Sequence, residues 1–518
     1  MSSSISTLDD KLSLSGSNVN VKTEAVAIPN LDTIAETEDA EAFLASHAVE
    51  TYTEESNKKL LRRIDMYLMP LMCVSYCIQY IDKSALAYAA VFDLKKDLGL
   101  KGQEYSLLTS LFYIGYLVAE YPQAWISQRV HIGRFLGIIM AIWGVILGCT
   151  AATHKYADIA AVRFFQGIFE SALTPAYIIV TGMWYTRKEQ PFRIGIWYSM
   201  NGIGNSIGAL ISYGMGLIDG KLDSWRYIFL IEAAMTLIWA VVVFTMFPSS
   251  PMRVRWLTDA QKAQAVERVR SNRTGIINRK WKWDQVIEAL DPRVDPSGWI
   301  IFFACILNEI INGGVSTYKG LVIKSIGWND LQSALFGIAY GAAVTIEISS
   351  CGYLAMRLKN SRHWMMIIYL IPSAIGMILQ ITLPASNKAG KTIGVLLMPS
   401  FVGSLALCMG IPAQNTAGYT KRSVVVGLAF LGYCVGNILG PLAWVSGQKP
   451  AYISGYVTCL ACMAGQVILF GLLRWYYWNE NRKRDAAVLA GQAPEAMSSG
   501  DEFADLTDKQ DLKFRYTL

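Results

Sequence analysis

Residues 135–153 read FLGIIMAIWGVILGCTAAT, nineteen positions without a charged side chain, bounded by Arg134 and by His154 and Lys155. Wound as an α-helix at ~1.5 Å per residue, such a block is about 28 Å long, close to the roughly 30 Å of a bilayer's hydrocarbon layer. The pattern recurs along the whole chain. Of 518 residues, 53% are hydrophobic and 17% charged, whereas an ordinary soluble protein carries roughly 25% charged residues. The charges crowd into the two tails and one central segment, and elsewhere uncharged or nearly uncharged blocks of about 20 residues follow one another. These features predict an all-α polytopic membrane protein seated in a lipid bilayer.

Twelve spans are expected: 66–88, 105–126, 135–153, 160–183, 194–215 and 227–247, then 298–318, 331–356, 364–383, 393–414, 424–445 and 453–475. With the amino terminus inside, about 28 Lys and Arg flank the cytoplasmic side, against about 11 on the other. The positive-inside rule then puts both termini in the cytoplasm, in a multi-pass protein assigned to the plasma membrane. Residues 1–57, rich in Ser and acidic side chains and lacking a signal-peptide core, read as a disordered cytoplasmic tail. Residues 58–247 form an N-terminal six-helix half, 248–297 a basic cytoplasmic linker, 298–475 a C-terminal half and 476–518 a second tail. The sequon Asn272-Arg273-Thr274 falls in the linker, on the side where it stays unmodified.

Several function classes drop out. The net charge of +6 is modest and the basic residues recur between apolar blocks instead of forming a stripe, which argues against nucleic-acid binding. All nine cysteines lie in apolar blocks and read as small buried hydrophobes. Only four histidines occur, in a tail or at block edges, so no metal site and no intramembrane histidine relay is expected. Glycine runs at 202–208 and 436–440 follow no strand; they suit close helix packing, and no cofactor is implied.

The chain also repeats itself. Arg129 and Arg134 correspond to Arg357 and Arg362, Thr186-Arg187-Lys188 to Thr420-Lys421-Arg422, and Gly204-Asn205 to Gly436-Asn437, at offsets of about 230 residues. A shared offset at matching topological positions points to a duplicated six-helix unit.

Tyr80-Ile81-Asp82-Lys83, the run from Arg163-Phe164-Phe165-Gln166-Gly167 to Glu170, and Trp184-Tyr185-Thr186-Arg187-Lys188-Glu189-Gln190-Pro191 resemble the anion:cation symporter family of the major facilitator superfamily. Asn415 to Arg422, Gly436 to Pro441 and Trp281 to Pro292 are similar to its fungal allantoate permease branch. The resemblance covers about Leu60 to Asp485. It implies a major-facilitator fold and secondary active transport of a small organic anion such as allantoate, ureidosuccinate, nicotinate, pantothenate or a small peptide. One departure stands out: Gln128 precedes Arg129 where the superfamily usually has Asp, so a gate closed by that carboxylate does not carry over.

Ionisable side chains at membrane depth cost at least ~2.5 kcal/mol each and are functional candidates. They are Asp82, Lys83, Glu120, Arg163, Glu170, Glu232, Glu309 and Glu347. Asp82 and Lys83 are neighbours, about 100° apart on a helix, so each needs a partner elsewhere. Arg163 and Glu170 share a helix face about 10.5 Å apart and could supply those partners. These four charges sum to zero. A carboxylate substrate would leave one negative charge uncompensated, and protonating one carboxylate restores the balance, which couples anion to proton. The expected substrate-binding residues are Lys83, Tyr80, Tyr116, Arg163 and Asn312; Asp82 and Glu170 are the proton-coupling candidates, positions to which the resemblance also points. Asn308, Asn312, Gly313 and Gly314 interrupt span seven as a cavity lining would. Glu120 and Glu232 read as interhelical contacts, and Glu309 and Glu347 receive no role. The competing readings are a structural ion-pair network in place of the binding site, and a transport-inactive nutrient sensor of the same fold in place of a carrier. No nucleophile or metal constellation suggests an enzyme.

Overall fold

The computed structural model describes residues 53–127, 129–186, 188–270, 281–358, 360–448, 451–489, 505–511 and 513–518. The tail before residue 53, Gln128 and the sequon at 272–274 lie outside the described residues. Among those described, every regular element is helical. Lipid supplies no hydrogen bonds, so a spanning backbone must satisfy its own N–H and C=O groups, as a helix does. Among the described residues, nine helical stretches are long and apolar enough, by length and composition, to cross a membrane.

The first half contains α1 (Glu54–Ala89), α2 (Glu104–Ser127), α3 (Ile132–Thr150), α4 (Tyr156–Glu170), α5 (Leu173–Trp184), α6 (Gln190–Gly216) and α7 (Ser224–Met246). The block quoted first is α3, and it packs along α7. Gly137 permits that approach, since a Cβ there would lie 2.6 Å from the Phe244 Cα. The α1 helix starts with Thr53 accepting the Ser56 N–H, with Glu54 and Glu55 in its positive first turn. Helices α4 and α5 are one span broken in two. Pro175 has no N–H to give the Ser171 carbonyl, and the break leaves Glu170 at the end of α4.

A linker carries α8 (Asp259–Arg270) and α9 (Trp283–Leu290). The second half follows with α10 (Ser297–Ser325), α11 (Asp330–Arg357), α12 (Arg362–Ile368), α13 (Leu370–Thr382), α14 (Lys388–Leu397), α15 (Phe401–Asn415), α16 (Tyr419–Leu439) and α17 (Ile453–Leu489). Three elements run well beyond their expected spans: α1 begins at Glu54, twelve residues early, α10 continues past Tyr318 and takes in Lys319 and Lys324, and α17 continues to Leu489.

The halves meet along α6 with α11, α2 with α16, and α1 with α10. Hydrogen bonds between them gather towards the end away from the chain termini. Tyr105 donates to the Thr317 carbonyl at 2.9 Å, Ser106 and Tyr318 hydroxyls lie 2.8 Å apart, and Ser110 donates to the Ile438 carbonyl at 2.7 Å. Asn205 donates to the Gly337 carbonyl at 2.8 Å. Large apolar side chains such as Ile238, Val241, Ile346 and Ile468 point outward, as a lipid-facing surface requires.

At the termini end, residues 505–518 dock on the second half. Lys421, fully buried, lies 2.9 Å from Glu288 of the linker, 2.6 Å from Asp295 and 2.8 Å from Asp508 of the tail. Burial alone would raise the Asp295 carboxyl; Lys421 and Ser297 outweigh it and hold it below the ordinary carboxylate range. Tyr516 stacks on Tyr477 and donates to Asp508 at 2.6 Å, while the Asn415 and Asn481 amides pair with the Thr517 and Tyr516 backbone.

Candidate functional site

Along α1, the 100° step between neighbours separates Asp82 from Lys83. Lys83 faces α2 and α4. Its Nζ lies 3.7 Å from Glu170 Oε1 and 5.5 to 5.6 Å from the ring centres of Phe112, Tyr113 and Tyr116. Tyr113 and Tyr116 stand three apart on α2, one helical turn, and so present one aromatic wall to the ammonium. The Lys83 side chain keeps 22% of its surface exposed, whereas Glu170 is fully buried and makes no other ion pair among the described residues.

Asp82 points the other way, into the first half. Thr236 on α7 donates to its Oδ2 at 2.9 Å, and its Oδ1 has no hydrogen-bond partner among the described residues. Glu232, one turn before Thr236, is fully buried with neither oxygen hydrogen-bonded. Arg163 donates to Gln166 at 2.8 Å and lies 4.8 Å over the Phe112 ring; it makes no ion pair among the described residues. The four charges expected to act together are therefore divided: Lys83 with Glu170, Asp82 with Thr236, Arg163 with Gln166 and an aromatic face. The pairing of Asp82 with Arg163 is not formed, because Asp82 turns to α7 and Arg163 lies against Phe112 of α2.

Across the interface, Asn312 does not stand alone. Its Nδ2 donates to Glu309 Oε2 at 2.9 Å, and Asn437 of α16 donates to the same oxygen at 2.6 Å. Glu309 thus has one oxygen gripped by two amides, while its buried Oε1 has no hydrogen-bond partner among the described residues. Gly436 allows α16 to come this close, since a Cβ there would lie 2.5 Å from the Glu309 Cβ. The rings of Tyr113 and Tyr433 lie 6.0 Å apart and join the two walls. Tyr80, Lys83, Asn312 and Tyr433 are each partly buried. Tyr116 is buried behind Lys83.

Two features of this region escaped the sequence reading. Glu309 was seen as an ionisable group, but its partner Asn437 stands 128 positions away. Its signal was the repeat itself, which placed Gly436-Asn437 opposite Gly204-Asn205. Lys319 was missed because an apolar run ending at Tyr318 followed by lysine reads as the end of a span. It is buried, donates to Asn205 Oδ1, and stands 5.4 Å over Tyr88 and 5.1 Å over Tyr340.

Residues 72–441 match the family described as Major Facilitator Superfamily. The allantoate permease of Saccharomyces cerevisiae is 31% identical, the alignment covering 100% of both chains. An uncharacterized transporter of Schizosaccharomyces pombe is 38% identical over 90% of this chain and 88% of its own. Among solved structures, a bacterial homolog of the human lysosomal transporter Spinster, inward-facing and unoccupied, superposes with a TM-score of 0.59 at 14% identity. That match covers 79% of this chain and 96% of the homolog. A D-xylose-proton symporter superposes with a TM-score of 0.57 at 16% identity, covering 78% and 96%. At such identities the likeness is one of fold.

Proposed function

The chain belongs to the major facilitator superfamily, and from that premise we propose that it takes up a small organic anion together with a proton by alternating access of its two halves. Membership makes it a multi-pass membrane transporter and not an enzyme. Lys83 carries the reading. It is a partly exposed cation facing three aromatic rings and paired with one buried carboxylate.

An incoming carboxylate competes with Glu170 for that ammonium. Once the substrate holds Lys83, a charged Glu170 stands in a poorly solvated site with no other ion-pair partner among the described residues, an arrangement that costs several kcal/mol. Taking up a proton removes the cost, so Glu170 is the group through which substrate and proton are coupled. Asp82, turned towards Thr236 and Glu232, is the second carboxylate available for a proton on this half. Tyr80, Tyr116 and Arg163 shape and polarise the first wall, and Asn312 with Glu309 offers amide and carboxylate groups on the second. The relative named an allantoate permease supports an allantoate-like carboxylate as cargo. The charge asymmetry of the loops supports cytoplasmic termini at both ends, and uptake from outside fits a location in the plasma membrane.

The test is accumulation of labelled allantoate in cells that lack other permeases for it, with the external pH recorded at low buffering. The expected result is uptake with alkalinisation, abolished by Lys83→Ala at normal surface abundance. Uptake unaffected by that substitution overturns the assignment. No accumulation of allantoate, ureidosuccinate or nicotinate, with the protein at the cell surface, favours the sensor.

A further inference from the structure

Lys319 is a buried cation with no carboxylate in salt-bridge contact among the described residues. Its three neighbours are neutral: the Asn205 side-chain oxygen and the faces of Tyr88 and Tyr340. A desolvated ammonium held only by an amide dipole and two ring quadrupoles is poorly compensated. The next lysine out, Lys324, shows the contrast, with Asp330 at 2.7 Å and Asp93 at 3.6 Å.

The neighbours of Lys319 divide between the halves. Asn205 on α6 and Tyr88 on α1 belong to the first; Tyr340 on α11 belongs, with Lys319, to the second. They form part of the seam that shuts the end away from the termini. Tyr88 donates to the Asn205 backbone carbonyl at 2.9 Å, and Asn205 donates to Gly337 across the seam. Gly320, the neighbour of Lys319, packs so closely on the end of α1 that a Cβ would lie 3.0 Å from the Ala87 carbonyl oxygen. Parting the halves at this end necessarily removes Asn205 and Tyr88 from Lys319, and leaves the ammonium beside Tyr340 on the wall of an open vestibule.

We infer that Lys319 is a second anion-binding residue, which receives the substrate's carboxylate at the outer mouth and gives it up when Asn205 and Tyr88 close over the ammonium. The inference rests on the anion-transport reading above. In the open state the carboxylate supplies the counter-charge that Lys319 lacks in the closed one. Closure substitutes neutral partners, so the anion moves inward to Lys83 rather than staying at the mouth. Lys319 thus selects for negative charge before the central site is reached.

Two measurements on the full-length protein test this. In cells accumulating labelled allantoate, Lys319→Gln should raise KM at least tenfold while changing the maximal rate less than threefold, and Lys319→Arg should recover most of the affinity. In intact cells expressing the unaltered protein, a membrane-impermeant amine acetylating reagent should modify Lys319 from outside, more slowly with allantoate present. Lys101 and Lys221, exposed at the same end, report that the reagent reaches it. An unchanged KM in Lys319→Gln, acetylation of Lys101 and Lys221 without Lys319, or no protection by an accumulated anion overturns the inference and leaves transport standing. Protection of all three lysines places this end inside the cell and overturns it through its topology. A protein that accumulates none of the anions overturns the transport reading, and this inference with it.

Discussion

The Lys83 ammonium lies 3.7 Å from the Glu170 carboxylate, across the contact of α1 with the broken fourth span. A direct hydrogen-bonded ion pair is shorter, about 2.7 to 2.9 Å. The Lys83–Glu170 separation leaves the lysine free to favour a ligand without first breaking a tight bond. Glu170→Gln removes the exchangeable charge while keeping the shape. The expected outcome is retained exchange of labelled for unlabelled anion, with net accumulation reduced at least tenfold and no longer sensitive to a protonophore. Full protonophore-sensitive accumulation in this variant would move the coupling elsewhere.

Thr236 is the hydrogen-bond donor to buried Asp82. Thr236→Val keeps the volume and removes the donor, so Asp82 is left beside Glu232 with both of its oxygens unsatisfied. The expected loss is about 1–3 kcal/mol of stability. It should be read as a lowered unfolding temperature of the purified protein, partly recovered by adding Asp82→Asn, which removes the charge.

Lys421 neutralises Glu288, Asp295 and Asp508 at one buried point. Lys421→Met leaves three carboxylates facing one another, a loss of about 3–5 kcal/mol for removing one partner of a buried pair. Limited proteolysis should then cut within 505–518, where the unaltered chain resists. Keeping Lys421 and removing only the tail's carboxylate, with Asp508→Asn, should loosen the tail less.

The acidity of this cluster has a definite sign. Asp295 is held below the ordinary carboxylate range, near 3.9, so its contribution is complete above that pH and is lost only as the pH falls towards its folded value. Tail protection against protease should stay constant from about pH 5 to 8 and fall in stronger acid. Release of the tail near neutrality would contradict the assignment.

Gly202 of α6 packs so tightly on α11 that a Cβ would lie 2.7 Å from the Gly341 carbonyl oxygen. Gly202→Val should wedge the halves apart and reduce uptake more than tenfold at equal surface abundance. Cysteine pairs across the seam would check this, cross-linking in the unaltered background and failing to do so in the variant.

Helix positions were legible because lipid imposes a length and excludes charge, and both leave a mark in the linear order of residues. The Lys83 and Glu170 pair was legible for a related reason: charges in an apolar block are few, so partners can be enumerated. Direction was harder. Nothing in the dipeptide Asp82-Lys83 says which of the two turns to α7, since that depends on how α1 is rotated within the bundle. Lys319 was hidden by the rule that otherwise worked, because a charge after an apolar run normally marks the water. The docking of the described tail residues left no periodic signal; its contacts are one stacked ring on Tyr477 and single polar groups reaching Asn415, Lys421 and Arg484, far apart in sequence.

Asn205 and Asn437 sit at matching places in the two halves, and each reaches a charge on the same helix, α10. The first offers its oxygen to an ammonium; the second offers its NH2 to a carboxylate. An aspartate would serve one and repel the other, and a lysine would do the reverse. Because a side-chain amide holds both polarities on one planar frame, a copied residue could take up opposite duties without any change of codon, by a half-turn of its final torsion.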